Sequence, residues 1–183
     1  AFVRANVEED DALLNAADAT LFRPVAARAN YLAQDRPDIQ FSVKEICTHM
    51  AEPSESGVRK LKHLARYLIA HPEVELCYPW LHEEALEAID VFTDSDWAGC
   101  RVTRKSTSGG AMTIGGVVVK TWSKTQGPVA LSSGEAEYYA MVKGAIEGLG
   151  MQTLARDLGW SLALRLHVDS SAAKAIASRQ GMG

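Results

Sequence analysis

The sequence predicts an α/β fold: a mixed sheet of three antiparallel strands plus a parallel fourth, with helices packed on it and a small helical segment ahead of it. Three observations carry this expectation. The hydrophobic pattern changes from helical to strand-like near residue 86, which divides the chain into a helical part, 1–85, and a strand-containing part, 86–183. Gly115-Gly116 separates two strand-like runs, the mark of a two-residue hairpin with a primed turn. Two further hydrophobic runs end in a carboxylate, at Asp94 and Asp169, with a long helical pattern between them.

The first part reads as follows. Val25 to Leu32 is a short apolar, alanine-rich stretch. Asp35-Arg36-Pro37-Asp38 marks a break, because Pro37 sets its own φ and biases Arg36 away from helix. Asp38 is placed to cap a helix over Ile39 to Met50, where Phe41, Ile46 and Met50 recur near helical spacing. Pro53-Ser54 opens the next helix, and Pro72 ends it. Leu61, Leu64, Ala65 and Leu68 form its apolar stripe, and Arg59, Lys62, His63 and Arg66 form the basic one. The basic stripe fits a solvated face, and it also fits a helix laid along a phosphate backbone.

In the second part, Ile89 to Thr93 is a β-rich run. Gly109 to Ile114 and Val117 to Ser123 flank the glycine pair. Ser132-Ser133-Gly134-Glu135 matches a capping box, with Glu135 reaching back to the Ser132 amide. The helix continues through Tyr139, Val142, Ile146 and Leu149 toward Leu158, with Gly159 as its stop. Gly144, Gly148 and Gly150 weaken it locally. Leu164, Leu166 and Val168 alternate as a strand, and Ser170 or Asp169 caps a last helix over Ser171 to Ser178. The order is β-β-β-α-β-α. A tight hairpin joins only antiparallel strands, whereas a helical crossover returns the fourth strand beside the first and parallel to it. Reactive groups collect at the carboxyl ends of such adjacent parallel strands, where Asp94 and Asp169 lie.

Composition narrows the function classes. Of 183 residues, 47% are apolar and 23% charged, enough for a packed core. The net charge of −4 weighs against a broad non-specific nucleic-acid surface, though not against local basic patches. Cys47, Cys77 and Cys100 are odd in number and widely spaced, which argues against a disulfide framework and favours a reducing compartment. No CxxC pair supports zinc, so buried apolar cysteine is expected. The acidic start, including Glu8-Glu9-Asp10-Asp11, lacks the apolar core of a leader, and no apolar stretch reaches transmembrane length. The expectation is an intracellular protein, in a cytoplasmic particle or the nucleus, not secreted and with no membrane partner. The first residue is not Met, and Gly181-Met182-Gly183 follows a helix-like segment directly, which suggests a piece of a larger polypeptide.

The chemistry centres on acids. A fold that gathers the three segments places Asp94, Glu137 and Asp169 together. Three carboxylates at neutral pH repel one another unless cations lie between them, which points to hard divalent metal chemistry on phosphodiesters. Asp96 shares a strand face with Asp94 and reads as an exposed turn acid or a supporting group. Arg104, Lys105, Ser106, Thr107 and Ser108 form a basic, hydroxyl-rich turn suited to phosphate oxygens and 2′-hydroxyls, or a plain polar loop. Trp97 and Trp122 read as core aromatics, and His167 as an ordinary strand residue. Nothing suggests a Ser-His-Asp or Cys-His nucleophile.

Three motifs in order are specific enough to indicate a family: Phe92-Thr93-Asp94-Ser95-Asp96-Trp97-Ala98-Gly99, Arg104-Lys105-Ser106-Thr107-Ser108-Gly109, and Ala130-Leu131-Ser132-Ser133-Gly134-Glu135-Ala136-Glu137-Tyr138. They resemble the ribonuclease H domain of copia-type retrotransposon Pol polyproteins. Tyr31 to Ile39, and the helix through Leu64-Ala65-Arg66-Tyr67-Leu68, resemble the end of the preceding reverse transcriptase region, its thumb and connection. The resemblance runs from about residue 25 to 178. It implies a ribonuclease H-like domain, truncated at its C-terminus, that cuts the RNA strand of an RNA–DNA hybrid. It implies Mg2+, or Mn2+ in its place, as cofactor, and the hybrid and the rest of the Pol polyprotein as partners. Asp94, Glu137 and Asp169 match the first three of the family's four catalytic carboxylates. Two ions ~4 Å apart would activate a water and stabilise the leaving oxygen, with Asp94 between them. The fourth carboxylate has no match before Gly183, and Glu135 is assigned to capping.

Two function classes follow. The first is a fragment carrying a ribonuclease H-like domain, weak or inactive by itself and competent in the intact parent. The second is an inactive retrotransposon remnant that keeps the fold and at most binds nucleic acid. A DDE-type integrase or transposase core fits less well, since no acid follows Asp169.

Overall fold

The computed structural model describes residues 11–82, 86–100 and 102–179. Glu8-Glu9-Asp10 and Gly181-Met182-Gly183, read above from the sequence, lie outside the described residues. The chain divides into two compact units, Ala1–Leu76 and Cys77–Gly183.

Among the described residues the first unit holds three α-helices, α1 (Ala16–Leu32), α2 (Gln40–Cys47) and α3 (Glu55–Ala70), with a 3-10 turn over Pro37–Ile39. Asn15 caps α1 by accepting from the Asp18 amide. The helix reaches back through Pro24, longer than the Val25–Leu32 stretch, although proline removes one ladder hydrogen bond. Ser54 caps α3, accepting from the Gly57 amide. Phe22, Ala26, Ile39, Val43, Ile46 and Leu64 form the core. The large members each contribute roughly 1.5–3 kcal/mol by burial. Several expectations are corrected here. Asp38 does not cap α2; its carboxylate pairs with Arg36 at 2.9 and 3.0 Å, and Arg36 also donates to the His71 and Pro72 carbonyls. A charged fork that closes both a carboxylate and a helix end outcompetes an exposed cap. Ala65 is exposed, α2 is shorter than expected, and residues 71–82 carry neither helix nor strand. Arg59, Lys62, His63 and Arg66 all face solvent.

The second unit is built on one sheet of four strands: β1 (Ala88–Asp96), β2 (Thr107–Ile114), β3 (Val117–Thr125) and β4 (Ala163–His167). Their order is β3-β2-β1-β4. The first three pair antiparallel, and β4 pairs with β1 in parallel, with Phe92 opposite His167. Gly115 and Gly116 turn the β2–β3 hairpin with φ of 57° and 80°, which only glycine adopts without strain. Between β3 and β4 runs α4 (Ser133–Asp157), and α5 (Ser171–Ala177) follows β4. This is the α/β, ribonuclease H-like mixed sheet that the sequence predicts.

Helix α4 lies on the sheet through small residues. Ala136, Ala140, Gly144 and Gly148 are its buried stripe. A Cβ on Gly144 would overlap the Thr93 side chain, and one on Gly148 would meet Leu164 and Val91. Ile89, Val91, Met112, Ala155 and Leu162 form the core beneath. Gly159, at φ 89°, stops α4 as expected. The start of α4 differs in one detail. Ser132 accepts from the Glu135 amide at 3.2 Å, but Glu135 returns to the Leu131 amide at 2.7 Å rather than to Ser132. Trp97 is 50% exposed and not a core residue; its indole N–H donates to the Ala130 carbonyl. Trp122 does pack inward, over Gly110. Cys47 is half-buried, but Cys77 and Cys100 are exposed, because they fall in irregular segments with no core beneath them.

Candidate metal centre

The parallel pairing of β1 with β4 positions two of the three acids. Phe92 and His167 are the last pair in register, and Asp94 and Asp169 each follow by two residues. Both carboxylates therefore leave the same end of the same strand pair. The register is held by side chains as well: His167 Nε2 lies 2.7 Å from Asp90 Oδ1, and its ring stacks on Phe92 with centroids 4.5 Å apart. Glu137 arrives from the second turn of α4, a helix seated close to the sheet by its glycines.

One oxygen from each of Asp94, Glu137 and Asp169 lies within 4.8 Å of the others. Ser95 organises the group. Its hydroxyl donates to Glu137 Oε1 at 3.0 Å, and its amide lies 2.8 Å from Asp94 Oδ1 and 3.3 Å from Glu137 Oε1. Glu137 Oε2 is buried with no hydrogen-bond partner. None of the three acids takes part in an ion pair among the described residues. Burial pushes the Glu137 carboxyl above its ordinary range; Asp94 and Asp169 add to this, while the Ser95 hydroxyl and amide oppose it. An orphaned carboxylate oxygen inside an uncompensated acidic group fits a hard cation with oxygen ligands, such as Mg2+ or Mn2+. A cleft of about 770 Å3 opens beside the group, lined by Asp94, Asp169, Phe92, His167, Gly109 and Lys174 among others.

The other residues singled out by the sequence lie elsewhere. Asp96 accepts from the Thr107 amide and so ties β1 to the start of β2. Glu135 serves the start of α4 and also accepts from the Tyr139 hydroxyl. Ser106, Thr107 and Ser108 are buried. Ser106 Oγ accepts from the Ala98 amide, and Ser108 Oγ accepts from Gln126. These hydroxyls hold the loop against the sheet, which leaves Arg104 exposed and Lys105 half-buried as the groups of that segment nearest solvent. Ser95 and Lys174 were not singled out. Ser95 has a sequence signal only in its place between two acids; its bond to Glu137 exists because α4 meets β1. Lys174 carries no signal of its own.

The chain is 35% identical over 130 residues to the uncharacterized mitochondrial protein AtMg00810 of Arabidopsis thaliana, covering 71% of this chain and 53% of that one. It is 31% identical over 142 residues to the retrovirus-related Pol polyprotein from transposon RE1 of the same plant, covering 78% of this chain and 10% of that protein. It is also 31% identical over 121 residues to the secreted RxLR effector protein 161 of Plasmopara viticola, covering 66% of this chain and 83% of that one. The chain thus spans about half of the first relative and a tenth of the second. No family model matches it. No solved structure matches it either. Among the described residues no helix is long and apolar enough to cross a membrane. With a mixed four-stranded sheet, two acids at its strand ends, a third on α4 and these relatives, the chain is a retroelement protein, similar to a segment of the retrovirus-related Pol polyproteins of transposons.

Proposed function

We propose that the second unit is a metal-dependent ribonuclease that cuts the RNA strand of RNA–DNA hybrids within a Pol polyprotein, and that the first unit is the end of the reverse transcriptase region. The observation that carries the nuclease reading is the convergence of Asp94, Glu137 and Asp169 from three separated segments, with one oxygen buried and unpartnered and no ion pair to any of them among the described residues. These three residues would hold Mg2+, or Mn2+ in its place. Bound divalent cations supply a water of lowered pKa and charge to stabilise the leaving oxygen. The chain's own part is to hold the acids in place. Ser95 fixes Glu137 and Asp94 relative to each other, and the parallel register fixes Asp94 against Asp169. The cleft beside them is large enough for a strand to approach the carboxylates, with Lys174 on its wall.

A hybrid-cleavage assay tests the reading. The wild-type chain with Mg2+ is expected to cut the RNA strand weakly, the intact parent strongly, and chelation is expected to stop both. Asp94→Asn removes metal interactions worth several kcal/mol, so the rate should fall by about a thousandfold. Equal cleavage by wild type and variant would defeat the assignment. Binding without cleavage by the wild type would instead indicate a remnant that retains the fold alone.

A further inference from the structure

The first unit carries a groove of about 610 Å3 between α1 and α3. Its apolar lining includes Leu14, Leu21, Val25, Val58 and Leu61. Leu21 is 70% exposed and Val25 44%, one turn apart on α1. Both helices start at the same end of the groove, because the bonds from Leu14 N to Pro53 O and from Glu55 N to Ala12 O hold their beginnings side by side. That common start fixes the order of charge along the groove. Asp18 and Glu55 stand in the first turns, and Arg59 and Lys62 follow one and two turns down α3. Glu55 and Lys62 are thus ~10 Å apart along the helix axis. Asp18 accepts from Asn15 Nδ2, and neither Asp18 nor Lys62 forms an ion pair among the described residues. Arg59 approaches Glu55 at 4.0 Å across one exposed helix turn, a contact that contributes little.

The charge order selects the occupant. The two acids repel phosphate and the apolar floor gives it no partner, so a nucleic-acid strand fits the groove poorly. A groove with acids at one end and bases at the other is complementary to itself after a half rotation. The acids of one copy then face the bases of the second, twice over, as a two-fold interface requires. We propose that two copies of this chain associate through the α1–α3 groove, with Leu21 and Val25 of each seated in the groove of the other and Asp18 of each opposite Lys62 of the other. Burial of these exposed apolar side chains supplies the affinity, and the rim charges set the orientation. One groove on each side makes a small interface, so the association is weak and reversible. It concerns the first unit alone and stands apart from the nuclease reading of the second.

Sedimentation of the full chain over a concentration series tests this, with thermal unfolding of each variant as the check on folding. The wild type should follow a monomer–dimer equilibrium. Leu21→Glu should weaken the dimer by about a hundredfold, since two apolar contacts are lost. Asp18→Lys and Lys62→Asp should each weaken it by about tenfold, because two attractive pairs become repulsive. An equimolar mixture of those two variants should recover wild-type association, for in the mixed dimer both pairs attract again. Damage to the fold of either chain does not recover on mixing, so this arm decides the matter even where Leu21→Glu unfolds. A wild type that stays monomeric up to its solubility limit overturns the proposal. A dimer that all three variants leave intact lies on another surface and overturns it too. Weakening by the charge variants without recovery on mixing refutes the two-fold arrangement. A monomeric wild type whose Asp18→Lys variant binds an RNA–DNA hybrid more tightly would assign the groove to nucleic acid instead.

Discussion

Glu137 shows how one residue trades stability for a site. Its Oε1 is served by Ser95, while Oε2 is buried without a partner beside two more acids. Burial first, then Asp94 and Asp169, raise its pKa. A raised carboxyl contributes stability below its unfolded pKa and loses it as pH rises through the folded one. The metal-free protein therefore carries a cost at neutral pH. Glu137→Gln should raise the Tm measured in chelator at neutral pH, leave it unchanged near pH 4, and remove Mg2+ binding by calorimetry. Asp11 shows the opposite sign. Burial pushes its carboxyl up, but hydrogen bonds from Ser54, Ser56 and the Ser56 amide, with the charge of His49, bring it down to about 2. That stability is present above the ordinary value of 3.8 and is lost as pH falls toward 2. The bonds fasten the segment before α1 onto the start of α3, together with Leu14 N to Pro53 O and Glu55 N to Ala12 O. Asp11→Asn should cost on the order of 1 kcal/mol at neutral pH, measured by urea unfolding, and nothing near pH 2.

Among the elements, α4 decides where the third acid stands. Its two ends are set locally, by Ser132 at the start and Gly159 past the end. Ser132→Ala should cost ~1 kcal/mol in thermal unfolding. Its closeness to the sheet is set by glycines that local propensity counts as defects. Replacing Gly144 with alanine improves helix propensity by up to ~1 kcal/mol, yet the new Cβ overlaps Thr93, the residue before Asp94. The overlap should win, for a net loss of ~1–2 kcal/mol and a fall in metal affinity, since α4 must lift and carry Glu137 with it. Gly150, where a Cβ meets nothing within 4 Å, is the control: Gly150→Ala should stabilise by up to ~1 kcal/mol and leave metal binding unchanged.

At the scale of the whole molecule, the proposed metal centre would link folding to the cation. A ligand that binds only the folded state stabilises it by ~2.7 kcal/mol at a hundred times its Kd. Mg2+ above its Kd should therefore raise the Tm of the wild type with the logarithm of its concentration, and leave Asp94→Asn where chelator leaves it. A Tm of wild type unmoved by Mg2+ would mean that the three acids hold no metal. Because this readout needs no substrate, it separates the metal centre from the cleavage reaction.

Much of this was legible in the chain itself. The Gly115-Gly116 hairpin, the Ser132 and Ser170 caps, the stop at Gly159 and the alternation of β4 are local matters of φ and hydrogen bonding, decided within a few residues. The acids at Asp94, Glu137 and Asp169 were legible through their motifs. Burial was not, since it depends on what arrives from far along the chain. Ser106 and Ser108 look like surface hydroxyls until Ala98 and Gln126 close on them, and Trp97 and Cys100 look like core until nothing covers them. The sequence by itself determined the order of the elements and the identity of the three acids. Only the tertiary structure decided that Ser95 joins two of them and that one glutamate oxygen is left without a partner, because both follow from α4 meeting β1 across some forty residues of chain.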